Sequence, residues 1–249
     1  MLRIGRIPYL NCEPFFARFG GVELVALNPR RLGEAVAAGE LDAGPLSLVD
    51  QLRLEAHLEP LPFGIATDHA AQSVFLFSHR PIRELGGAVI GITPETSTSV
   101  QLLRVLLALK YEVTPRAWVG VDDPSDAVLL IGDAAIRALT AGSSYANITD
   151  LGTEWTEWTG LPFVFARWGV STRVPAPERL ALRAQLDRAL DEGMAALPDI
   201  ARARRDTGWN EAEVQAYLRG FNYRLGASED KAIAEFIRLR AFITERGQC

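Results

Sequence analysis

The chain has 249 residues, is 48% hydrophobic and carries a net charge of −5 with a pI near 5.4, so it can bury a large core as one domain or as two intimate lobes. Its basic residues are scattered rather than gathered into a stripe, which argues against nucleic acid as a partner, and no apolar run reaches the ~18 residues needed to span a bilayer. Two cysteines, Cys12 and Cys249, are too few for a disulfide framework. Strand-like residues begin at Leu2 with no basic and apolar leader ahead of them, so the expectation is a cytoplasmic protein without a membrane partner.

The first two-thirds alternates short β-like runs with helical patterns, which predicts an α/β fold of parallel strands and crossover helices. Residues 3–7 read as a strand, followed by the turn Pro8-Tyr9-Leu10-Asn11 and a short helix stopped after Phe19 by Gly20-Gly21. Residues 22–27 form the next strand, 29–38 a helix ended by Gly39, and 41–46 a strand that meets Ser47, an N-cap for a helix to Leu54. A strand over 73–77 follows. The strand 88–92 runs through a hydroxyl-rich turn, Thr93-Pro-Glu-Thr-Ser-Thr-Ser99, into an amphipathic helix, and the strand 127–131 leads through Gly132-Asp133 into a helix over 134–139. A strand over 161–167 returns the chain. The rest is helical over 177–197, 210–218 and 228–246, with Asn210 and Glu213 spaced as an N-cap and its N3 acid. The strands at 73–77 and 161–167 bracket two strand-turn-helix units, which predicts two lobes, 1–80 with 169–249 and 81–168.

Ligands of open α/β sheets sit outside the carboxyl ends of strands, so the strand-to-helix turns are where chemistry is expected. Ser97, Thr98 and Ser99 stand where a helix leaves its first N–H groups unpaired, an arrangement suited to a carboxylate or phosphate; the same residue types also serve as ordinary N-caps. Metal binding has little support, since His57, His69 and His79 lack the helical spacing of metal ligands and no Cys pair has ligand spacing. Cys12 at a helix start has no neighbouring His in sequence to make it a nucleophile. P-loop, Gly-x-Gly-x-x-Gly and Gly-x-Ser-x-Gly motifs are absent, so action without a cofactor is the expectation. Trp155 and Trp158 precede the returning strand, either as core or as a wall against a flat ring. Glu95 and Asp133 are the acids nearest the helix mouths.

Taken together, Ile4-Gly-Arg-Ile-Pro-Tyr-Leu-Asn11, Leu41-Asp-Ala-Gly-Pro45, Gln72-Ser-Val-Phe-Leu-Phe-Ser78, Thr93 to Val100, Leu130-Ile-Gly-Asp133, Trp158-Thr-Gly-Leu-Pro-Phe-Val-Phe165 and Phe221-Asn-Tyr-Arg-Leu-Gly226 resemble, in order and over nearly the whole chain, the MqnA family of chorismate dehydratases in menaquinone biosynthesis. The resemblance implies a type II periplasmic-binding-protein-like α/β fold, two α/β lobes around a central cleft, used as an enzyme of the futalosine route. It implies that chorismate loses water to give 3-enolpyruvylbenzoate. By motif, Asn11 and Ser73 match the family's active-site amide and hydroxyl and the Ser97-Thr98-Ser99 turn its carboxylate-binding helix mouth; Tyr9, Pro45, Gly132, Asp133 and Trp158 are the remaining substrate-binding candidates. Ahead of Ser73, where the family has Gly-Pro-Val, this chain has Ala70-Ala71-Gln72 preceded by Asp68-His69.

An amide and hydroxyls are poor bases at neutral pH, so the expected mechanism is substrate-assisted, the enolpyruvyl carboxylate of chorismate taking the ring proton while Asn11 and Ser73 orient the ring. Glu95, Asp133 and His69 are the protein bases to weigh against it. The rival functions are a solute-binding protein for a small carboxylate, the sibling enzyme that releases a dihydroxynaphthoate, and an effector-sensing regulator.

Overall fold

The computed structural model describes residues 1–245; Arg246, the expected last residue of the final helix, and Cys249 lie outside them. The chain opens with β1 (Arg3–Arg6), a 3-10 turn over Leu10–Cys12, α1 (Glu13–Phe16), β2 (Glu23–Ala26), α2 (Pro29–Ala38), β3 (Ala43–Ser47), α3 (Leu48–Arg53) and β4 (Leu58–Thr67). It then forms β5 (Val74–Ser78), β6 (Val89–Ile92), α4 (Thr98–Val105) with a π-helical continuation over Leu106–Lys110, β7 (Ala117–Gly120), β8 (Ala127–Ile131), α5 (Gly132–Thr140), β9 (Asn147–Asp150) and α6 (Leu151–Thr159). The last stretch holds β10 (Phe163–Ser171), α7 (Ala176–Ala195), α8 (Leu197–Ala203), α9 (Glu211–Arg219), β11 (Asn222–Arg224) and α10 (Ala227–Glu245).

Two compact units result. Met1–Ala66 with Val164–Leu225 build the first around a six-stranded sheet of order β11-β4-β10-β3-β1-β2; Thr67–Phe163 with the chain from Gly226 onward build the second around a five-stranded sheet of order β7-β6-β8-β5-β9. Both sheets are mixed rather than purely parallel. In the first, β1 runs parallel to β2 and β3, and β10 runs antiparallel to β3 with Trp168 opposite Pro45. In the second, β6 is parallel to β7 and β8, while β5 is antiparallel to both β8 and β9.

The division differs from the one expected at 80/81 and 168/169. Strand β5 pairs on both edges within the five-stranded sheet, so the second unit begins before it, and α10 packs against α4 of that unit rather than on the first. Strand β4, with its irregular pattern of Pro60, Pro62 and Gly64, gave no clean alternation in sequence and is the longest strand of the chain. Burial explains the largely apolar strands: β3 and β5 are buried at every position, as strands covered on both faces require. The first unit's core sets Phe15 edge to face with Trp168 and with Tyr223, and the second packs Trp155, Phe163 and Phe236 in the same way.

Candidate active site

In the first unit β1 has β2 on one side and β3 on the other, so its carboxyl end is the switch point at which α/β sheets open a crevice. The turn leaving that end carries Tyr9 and Asn11, both half-buried. The Cys12 N–H donates to the Tyr9 carbonyl at 3.0 Å, closing the turn, and the buried Cys12 thiol donates to Asn11 Oδ1 at 3.5 Å. That bond occupies the amide's carbonyl end and presents the NH2 as the donor. Sequence reading missed a brace beneath this turn: Arg6, at the end of β1, holds both oxygens of Glu13, at the start of α1, at 2.9 and 3.0 Å, and Arg204 reaches the same carboxylate at 3.1 Å. Pro45 is buried in the neighbouring strand β3.

In the second unit β6 occupies the equivalent position, between β7 and β8. The pairings Ile92 with Leu129 and Val74 with Ile131 bring the carboxyl ends of β6 and β8 and the amino end of β5 to one sheet edge. The structure therefore assembles there the Thr93–Ser99 turn, Gly132-Asp133 and Ser73. Ser73 is buried, its hydroxyl donating to the Ala71 carbonyl at 3.3 Å, and its own carbonyl accepts the Gly132 N–H at 2.8 Å. Gly132 takes φ +58°, the left-handed region that suits glycine where the strand turns at once into α5.

At this edge neither helix start is capped by the side chain of its N-cap residue. Asn28, Ser47, Asp150 and Asn210 each cap a helix start through the side chain, whereas Ser97 at α4 and Ile131 at α5 provide no side-chain cap. The first N–H groups of α4 thus lack the side-chain acceptor that ordinary capping by Ser97 would supply. In the same turn the buried hydroxyls of Thr93 and Thr96 have no hydrogen-bond partner, and buried polar groups are rarely left so without a ligand or water to receive them. Thr98 and Ser99 are buried beside them. The absence of a Ser97 cap, the unpartnered hydroxyls of Thr93 and Thr96 and the positive end of the helix dipole together suit a carboxylate.

Helix α6, absent from the sequence reading, shapes this edge from the far side. Its N-cap Asp150 accepts the N–H groups of Ala71 at 2.9 Å, Gln72 at 2.7 Å and Thr153 at 3.0 Å, and Gln72 is held at φ +54°. Burial pushes the Asp150 carboxyl above its usual value, opposed by the backbone N–H groups it accepts. Asp150 before a helical stretch ended by Gly160, which is left-handed at φ 69°, was the signal available in sequence. On this helix Trp155 is wholly buried, its indole N–H donating to the Pro162 carbonyl at 3.0 Å, while Trp158 is half-buried and edge-on to Trp155 at 6.2 Å.

Of the candidate protein bases, Asp133 is buried in the first turn of α5, Glu95 is half-buried in the open turn, and His69 projects from the loop before Ser73 with its side chain 82% exposed. His79 stacks on Tyr145, with ring centroids 4.5 Å apart. Among the described residues no group of three or more His, Cys, Asp and Glu side chains is placed to hold a metal ion, and no helix is long and apolar enough to cross a membrane.

Two mixed α/β units with open turns at their switch points define a protein of the periplasmic-binding-protein fold. The alkanesulfonate-binding protein SsuA of Xanthomonas axonopodis pv. citri superposes with a TM-score of 0.69 at 18% identity, over 100% of this chain and 94% of that one. The periplasmic aliphatic sulphonate binding protein SsuA of Escherichia coli gives 0.65 at 14% identity, over 98% and 87%. At these identities the likeness is one of fold. A sequence-family model described as menaquinone biosynthesis matches residues 2–241, and a chorismate dehydratase of Thermus thermophilus is 32% identical over 264 residues, spanning 95% of this chain and 95% of that protein. The chain belongs to this menaquinone-biosynthesis family, the MqnA family.

Proposed function

We propose that the protein is a chorismate dehydratase, a hydro-lyase that converts chorismate to 3-enolpyruvylbenzoate and water. The observation that carries this reading beyond kinship is the N-terminus of α4, which the Ser97 side chain does not cap and beside which the buried hydroxyls of Thr93 and Thr96 have no hydrogen-bond partner. Chorismate is a dianion, and such a mouth anchors one of its carboxylates through local dipoles in a protein whose net charge is negative. Ser97, Thr98 and Ser99 complete that anchor, Tyr9, Pro45, Gly132, Asp133 and Trp158 shape the rest of the substrate's surroundings, and Asn11 and Ser73 direct hydrogen bonds at the reacting ring.

The C3–H bond breaks as its proton passes to the acceptor, the electron pair enters the ring, the C4–O bond breaks, and the acceptor hands the proton to the departing hydroxyl, which leaves as water. The ring becomes aromatic, which supplies the driving force, and no atom of the protein is oxidised or reduced. An elimination of this kind needs no redox cofactor. The substrate's enolpyruvyl carboxylate is the proton acceptor, because Asn11 and Ser73, matched by motif to the active-site amide and hydroxyl, have no basic lone pair at neutral pH. The futalosine route and a cytoplasmic setting go with this activity, and the buried free thiol of Cys12 agrees with a reducing compartment.

Purified protein incubated with chorismate, with and without a chelator, and followed by mass spectrometry tests the assignment. Loss of one water in a protein-dependent manner is the expected result; saturable binding without product would instead make the protein a carboxylate binder. Asn11→Ala and Ser73→Ala should each lower kcat by roughly a hundredfold or more while KM changes much less, the pattern for interactions made in the transition state. Equal changes in kcat and KM would count against those roles. Glu95→Gln, Asp133→Asn and His69→Gln test the alternative of a protein base, which a folded but inactive variant among them would establish.

A further inference from the structure

We infer that Asp150 is a positioning residue for Ser73, an inference that rests on the dehydratase reading above. Three observations meet at this side chain. It accepts the consecutive N–H groups of Ala71 and Gln72, the two residues that precede Ser73, while also capping α6 through Thr153. The loop it grips contains a non-glycine residue in the left-handed region, Gln72 at φ +54°, a conformation that persists when surrounding contacts over-determine it. The Ser73 hydroxyl donates to the carbonyl of Ala71, the residue whose N–H Asp150 holds, and the Ser73 carbonyl is fixed from the other side by Gly132.

The arrangement also explains how this chain accommodates Ala70-Ala71-Gln72 ahead of Ser73. A loop of ordinary residues carries backbone N–H groups that need acceptors, and the two oxygens of one carboxylate supply them from a helix start that is itself rigid. A hydroxyl set by such a frame keeps its direction without having to be ordered by substrate. Asp150 touches no reacting atom; its effect on turnover runs through the loop.

The test separates loop positioning from helix capping. Asn and Ser are N-caps as good as Asp, so Asp150→Asn and Asp150→Ser keep α6 capped while removing one or both acceptors from the 71–72 backbone. With chorismate as substrate, both variants are expected to lose roughly tenfold to a hundredfold in kcat, as sub-ångström to ångström misplacement of a reacting group does, with KM within about threefold. Asn210→Ala, which removes the cap of α9, should lower Tm and leave kcat unchanged. Asp150 variants that behave as Asn210→Ala does, losing Tm with kcat within twofold, would overturn the inference, as would a rise in KM alone. Wild-type protein that does not convert chorismate would overturn the dehydratase reading and this one with it. Should neither Asp150 variant fold, amide exchange in the wild-type protein decides: a Gln72 N–H protected well beyond its exposed neighbours supports the grip, and one exchanging at an open-loop rate overturns it.

Discussion

Gly152 and Ala71 lie so close that a Cβ on Gly152 would stand 2.8 Å from the Ala71 backbone nitrogen and 3.0 Å from the His69 carbonyl oxygen. Backbone atoms on both sides leave nothing flexible to move. Gly152→Ala is therefore expected to push the 69–71 loop off α6, at a cost of about 1–3 kcal/mol in stability. It should lower turnover more than it weakens substrate binding. Urea unfolding beside steady-state kinetics checks both, and a variant as stable and active as wild type would show that the loop can shift freely.

Glu13 accepts both Arg6 and Arg204 beneath the turn that carries Asn11, and its side chain is only 12% exposed. Glu13→Gln leaves two guanidinium groups facing each other without the carboxylate between them. The expected loss is about 1–3 kcal/mol, less than for a fully buried pair because Arg6 is one-third exposed. Chemical denaturation measures it. Added salt should narrow the gap between variant and wild type, and a gap unchanged by salt would argue for lost packing instead.

The thiol of Cys12 keeps the Asn11 amide turned with its NH2 outward. Cys12→Ser retains a donor to Asn11 Oδ1 and should keep kcat within about threefold of wild type, whereas Cys12→Ala removes it and should cost about fivefold to tenfold, the worth of one modest hydrogen bond. The comparison is made at saturating chorismate. Equal effects of the two substitutions would assign Cys12 to packing alone.

Burial raises the Asp150 carboxyl above its usual 3.8, which fixes the sign of its effect on stability. Below that value the group is protonated in folded and unfolded chains alike. As pH rises from there toward the folded-state value, the unfolded chain ionises first, the folded chain binds more protons, and the stability present at low pH is progressively lost. Asp150→Asn has no such titration, so its stability relative to wild type should improve as pH rises through that window. Unfolding curves taken at steps between about pH 3.5 and 8 follow the difference; a flat difference, or one of opposite slope, would show that the N–H groups around Asp150 outweigh its burial.

Much of the local structure around the candidate site could be read from residue order because turns and caps are local. The uninterrupted pattern of strand, hydroxyl turn and helix over 90–105 placed Thr98 and Ser99 at a helix start, and Asn210 with Glu213 formed the capping box their spacing implied. Ser47 caps α3 as expected, accepting the Asp50 N–H at 3.2 Å. The motifs at Tyr9-Leu10-Asn11, Ser73 and Gly132-Asp133 each fell at a strand end, where the alternation of apolar runs and turn residues had put them. Helix α6 was missed because its aromatic residues read equally well as strand, and periodicity over so short an apolar run does not separate the two.

By itself the sequence determined the family, the α/β class, the succession of strand-to-helix turns and the residue types available at each, since all of these are written in nearest neighbours and in motif order. Only the tertiary structure decided that β5 belongs to the second sheet, that Asp150, from a helix start 78 residues along the chain, holds the Gln72 backbone, and that Arg204, 191 residues from Glu13, braces the Asn11 turn. Those partners are chosen by long-range strand pairing and by the demand that buried N–H groups and charges find acceptors. Neither leaves a periodic trace in the order of residues.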